Sequence, residues 1–160
     1  MNQRNPKISI QIAEQTPCED AELPRLKRLV RFVCRRFCVT HAAVQISLVD
    51  DAAIKMLHKR FFNTSKTTDV ISFDLSDDQA DYRMFDIIIN IDQARRQAVK
   101  RGLSIAAETA LYLVHGLLHQ LGFDDLSDTK AKKMHREEDL ILQEAGFGAV
   151  YQVPGKGQRI

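Results

Sequence analysis

Phe85-Asp86-Ile87-Ile88-Ile89-Asn90-Ile91 is the run that decides the fold class. Apolar side chains fall on both of its faces, so it reads as a strand inside a sheet, covered on either side. Just upstream, Val70 to Leu75 behaves differently: Ile71, Phe73 and Leu75 alternate with Ser72 and Asp74, as in a half-buried strand. The acidic turn Ser76-Asp77-Asp78-Gln79-Ala80-Asp81 joins the two. Ile8 to Ile12 and Val44 to Val49 supply two further strands.

Helices fill the remaining chain. Between about Glu22 and Cys38, Leu26, Leu29, Val30, Val33 and Phe37 recur at helical spacing, while Arg28, Arg31 and Arg35 share another face. Asp50 is placed to cap a helix from Asp51 to about Phe61. Asp92 to Lys100 forms a helix stopped by Gly102, and Ser104 caps the next, Ile105 to Leu121, which is apolar on nearly every side and belongs in the core. Gly122 ends it in the left-handed conformation. A last helix runs from about Asp128 to Ala145, stops at Gly146, and has Phe147 placed to fold back on it. The order βαβαββααα implies an α/β (α+β) fold, a small mixed four-stranded sheet packed with about five helices, its strand order open.

At 160 residues, with 44% apolar and 28% charged side chains, the chain reads as one globular domain over residues 1–153, followed by a mobile Gly- and Lys-rich tail, 154–160. A formal charge of +2 does not by itself identify a nucleic-acid partner. No run of about 18 apolar residues exists to span a membrane. Cys18, Cys34 and Cys38 form no CxxC pair, and the start Met1-Asn2-Gln3-Arg4-Asn5-Pro6-Lys7 is polar, so reduced thiols and a cytoplasmic location are expected. Cys34 and Cys38 read as core, and His41, His58 and His135 as surface residues.

Chemistry concentrates in His115-Gly116-Leu117-Leu118-His119-Gln120-Leu121-Gly122-Phe123-Asp124-Asp125. Histidines four apart on a helix share a face, so two imidazole nitrogens can converge on one ion. Gly122 lets the chain reverse, and Asp125 is placed to supply a third ligand, leaving a coordination position open for water. Two imidazoles on an otherwise apolar helix need partners to offset their desolvation, and a metal provides one. Asp125 or Ser127 could alternatively cap the last helix. Two histidines and a carboxylate also match mononuclear iron(II) sites, which keeps the identity of the metal open. Gly116 stands where metalloproteases of the His-Glu-x-x-His type carry their general base, which disfavours a peptidase. Asp124 is the nearest alternative base.

This segment resembles the His-Gly-x-Leu-His-x-x-Gly-Tyr-Asp-His signature of the YbeY family, bacterial metal-dependent endoribonucleases of ribosomal RNA maturation and ribosome quality control. Upstream, Lys66-Thr67-Thr68-Asp69-Val70-Ile71-Ser72-Phe73 resembles the family's Lys-Pro-Thr-Asn/Asp-Val-Leu-Ser-Phe segment, and Asp86-Ile87 its Gly-Asp-Ile. The likeness runs from about Val44 to Phe147. It implies a metal-activated water hydrolysing RNA, one divalent ion, zinc by preference, held by His115, His119 and Asp125, and ribosomal RNA or a ribosomal subunit as partner. Three positions depart: the family's third histidine falls on Asp125, an arginine on Phe62 and a glycine on Phe85. Arg60 or Lys66 could stand in for that arginine, and Thr68 and Ser72 could donate to phosphate or sugar. With the resemblance, the arginines of the first helix become a candidate backbone-contact surface. The competing reading is a ribosome- or RNA-binding assembly factor that keeps the fold without the nuclease.

Overall fold

The computed structural model describes residues 5–79, 81–148 and 150; the tail 154–160 lies outside them. Among the described residues four strands form one sheet: β1 (Lys7–Glu14), β2 (His41–Val49), β3 (Val70–Asp74) and β4 (Arg83–Asn90). Their order is β1-β2-β4-β3, with β1, β2 and β4 parallel and β3 antiparallel on the edge. The doubly apolar run is therefore interior, as its composition requires.

Five α-helices surround it: α1 (Leu23–Arg36), α2 (Asp51–Phe62), α3 (Ile91–Arg101), α4 (Ile105–Gln120) and α5 (Asp128–Glu144). Helices α1 and α4 share the main core with Val44, Ile46, Leu48, Phe85, Ile87 and Ile89. Helix α2 covers part of the opposite face through Ile54, against Val49, Ile71 and Ile88. Leu113, Val114, Leu117 and Leu118 of α4 are at most 1% exposed, and full burial of one such side chain contributes roughly 1.5–3 kcal/mol. That anchorage makes α4 a rigid base for whatever it carries.

Asp50, Ser104 and Ser127 cap their helices, accepting from the amides of Ala53, Ala107 and Lys130. Phe147 folds back on α5, its amide donating to Leu142 O at 2.8 Å and its ring lying beneath the Arg25 guanidinium.

Several expectations need correction. Ile91 opens α3, because the buried Asn90 caps that helix and ends β4. Cys38 is exposed: α1 stops at Arg36, and a left-handed backbone at Cys38 turns the side chain out of the core. Leu75 lies past the end of β3 and is exposed. Ser72 is half-buried on the α4 side of β3, its hydroxyl accepting from Gln120 of α4 at 2.8 Å. None of the helices among the described residues is long and apolar enough to cross a membrane.

Candidate metal centre

His115 and His119 project from the last turns of α4, one below the other, with ring centroids 4.6 Å apart. Past the helix, Gly122 has φ +99°, a conformation that bars most side chains, and the chain turns back. The Phe123 amide closes this turn on Leu118 O at 3.0 Å. Asp125 is thereby returned to the histidines. Its two oxygens lie 3.8 Å from His115 Nε2 and 3.8 Å from His119 Nε2, and the two Nε2 atoms are 3.0 Å apart. Two ligands at 2.0–2.1 Å from a tetrahedral zinc are about 3.3 Å apart, between these separations. The donor set and spacing fit one divalent ion, with all three ligand atoms within 4.8 Å of one another.

Two neighbours settle roles left open by the sequence. Ser127 takes the cap of α5, so Asp125 is not consumed there. Glu138 of α5, completely buried, places Oε1 2.7 Å from His115 Nδ1. That contact makes Nδ1 the donor and turns the Nε2 lone pair toward His119 and Asp125, the usual way a protein orients a ligating imidazole. Burial pushes the His115 imidazole down, the hydrogen bond and charge of Glu138 push it up, and the upward effect prevails.

These three candidate ligands sit in a cleft of about 520 Å³. Thr68, Asp69, Val70 and Ser72 form one side, Gln93, Gln97 and Arg101 of α3 another, and Leu111, Tyr112 and His135 complete it. The buried Asn90 fixes the loop before β3: its amide group donates to Thr68 O and Asp51 Oδ1, and its backbone N–H donates to Asp69 O.

Of the residues singled out from sequence, His115, His119, Asp125, Thr68 and Ser72 meet in this cleft, whereas Arg60 and Lys66 are exposed outside its lining. Asp124 points elsewhere, its carboxylate accepting from the Leu126 amide and from Lys130, contacts that hold it below the usual carboxylate range. Phe62 stacks on Phe73, the rings 7° from parallel, on the α2 side of the sheet. Arg28 and Arg35 border a separate hollow beside Phe147. His135, read as a surface residue, lines the cleft because α5 packs along α4. Glu138, Gln93, Gln97 and Arg101 were not singled out. Glu138 did leave a signal, falling on the helical stripe of Met134, Ile141 and Leu142, where an unpartnered carboxylate is too costly to bury.

Comparison with known proteins extends this picture. A family model described as Endoribonuclease YbeY matches residues 11–146. A curated Endoribonuclease YbeY of Desulfitobacterium hafniense (strain Y51) is 35% identical over 115 residues, 66% of this chain and 73% of the relative. That of Macrococcus caseolyticus (strain JCSC5402) is 32% identical over 144 residues, 85% of this chain and 94% of the relative. The solution structure of TM1509 from Thermotoga maritima superposes with a TM-score of 0.57, covering 94% of this chain and all of that one at 20% identity, which shows a shared fold.

Proposed function

Because the chain belongs to the YbeY family of endoribonucleases, we propose that it is a cytoplasmic, metal-dependent endoribonuclease of ribosomal RNA maturation, with zinc held by His115, His119 and Asp125. The observation that carries this reading is the convergence of two imidazoles and a carboxylate in a cleft, braced from behind by a buried carboxylate. When bound, such an ion supplies a nucleophilic water at neutral pH and a Lewis acid for a phosphoryl oxygen.

The remaining steps belong to the protein. Glu138 holds the His115 ring in one tautomer, so that its free lone pair faces the centre. Ser72 Oγ already accepts from Gln120, leaving its hydroxyl proton to donate into the cleft. Gln93 and Gln97 add further amide donors for phosphate or ribose oxygens, whereas the Thr68 hydroxyl donates to Asp69 Oδ1 at 3.2 Å and offers only its lone pairs to the cleft. Gly116 offers no carboxylate beside the first histidine, which argues against peptide hydrolysis by the His-Glu-x-x-His route. Asp125 in place of an imidazole lowers the charge of the centre by one, so slower chemistry at neutral pH is expected than with three histidines.

The test pairs metal content with cleavage of a structured RNA, for wild type, His119→Ala and Asp125→Ala. About one zinc per chain, lost from both variants together with cleavage, is expected. Metal retained in both variants, or cleavage undiminished in them, would refute the assignment. A wild type that binds RNA but never cleaves it would favour the assembly factor.

A further inference from the structure

The wall of the cleft made by α3 has a pattern of its own. Gln93, Gln97 and Arg101 stand four residues apart, one stripe along about 12 Å of helix, and all three line the cleft. Arg101 is the one arginine or lysine among the described lining residues, set against the carboxylates of Asp69 and Asp125. Behind it, the completely buried Glu108 of α4 holds Nη1 at 3.3 Å, while the Arg101 side chain stays 20% exposed. Glu108 fixes the position of the guanidinium without satisfying it: the buried Nε and Nη1 make no hydrogen bond among the described residues. A purely structural ion pair normally satisfies its buried donors.

On the nuclease reading above, we infer that this stripe is the track for the RNA backbone and that Arg101 is its phosphate-binding residue. A planar guanidinium suits phosphate oxygens, and an anchored one loses little freedom on binding them. The amides of Gln93 and Gln97 extend the track toward the start of α3, where the helix dipole also favours an anion. The position at Phe62, stacked on the far side of the sheet, then needs no cation of its own.

The test is fluorescence anisotropy of a labelled single-stranded 2′-O-methyl RNA with the full-length protein over a salt series, beside thermal unfolding of each variant. Arg101→Gln is expected to weaken binding about tenfold and to lower the slope of log K against log salt by about 0.7, the loss of one phosphate contact. Arg101→Lys should restore the slope and only part of the affinity, because a flexible ammonium lacks the pre-organisation of a guanidinium anchored by Glu108. Should Arg101→Gln fail to fold, Gln97→Glu, one turn away, must weaken binding at low salt. Unchanged affinity and slope in a folded Arg101→Gln, or in Gln97→Glu, overturn the inference while leaving wild-type cleavage and the nuclease reading intact. A wild type that neither binds nor cleaves RNA overturns both.

Discussion

The contact between Glu138 and His115 permits the sharpest prediction about the metal centre. Glu138→Gln keeps an oxygen that can accept from Nδ1 but removes the charge, whereas Glu138→Leu removes both. Loss of such a partner lowers metal affinity by roughly 10–100-fold, so Gln should stand near the low end and Leu near the high end. Tenfold corresponds to about 1.4 kcal/mol. That amount should vanish from the metal-dependent part of the folding stability, since binding to the native state stabilises by RT ln(1 + [L]/Kd). For a chain of this size, about 1.4 kcal/mol moves the unfolding midpoint by roughly 3–6 °C. Competition against a chromogenic zinc chelator would measure the affinity, and thermal scans with chelator and with excess zinc would measure the metal-dependent shift. Equal affinity in wild type and both variants would refute the idea that Glu138 orients the ligand, and would reduce it to a packing carboxylate.

Two further outcomes follow from the scaffold. Asp51 is held at about pKa 2 against an ordinary 3.8, chiefly by Arg96, with Asn90 assisting while partial burial opposes. A depressed carboxylate stabilises above its unfolded pKa, so this contribution is lost as the pH falls from about 4 to 2, and acid unfolding should be shallower in Asp51→Asn when followed by circular dichroism. In Gly116→Ala the new methyl would lie 3.1 Å from Ile87 Cγ2 and 3.2 Å from Val70 Cγ2, both branched side chains on paired strands. The crowding should outweigh the gain of about 1 kcal/mol in helix propensity, for a net loss of about 1 kcal/mol in thermal unfolding; an unchanged or raised midpoint would show that the strands give way.

Much of this was legible because it is written locally. Caps at Asp50 and Ser104, the reversal at Gly122 and the four-residue spacing of His115 and His119 all depend on neighbours in sequence, and each appears in the structure, whereas the cap of α5, open in the sequence between Asp125 and Ser127, falls to Ser127. What escaped depends on tertiary packing. Gln93, Gln97 and Arg101 share a helical stripe in the sequence, but only the docking of α3 beside α4 turns it into a wall of the cleft. Glu138 sits among Glu137 and Asp139 and resembles surface acidity until its place on the apolar stripe of α5 is noticed. For Cys38 and Leu75 the reason is simpler: each lies just beyond the end of a periodic element, where the period no longer says which way a side chain points.

The three proposed ligand positions all fall within one short stretch, from His115 to Asp125. An ion bound there closes a small loop, and small loops cost little entropy even in an unfolded chain. On the proposed metal reading the segment would chelate locally, and such binding would tie no distant parts of the chain together. On that reading Glu138, contributed by α5, would add to the folded chain's hold on the ion, because the loose segment lacks the contact that orients His115. Part of the linkage between metal uptake and folding would then run through a residue outside the ligand set.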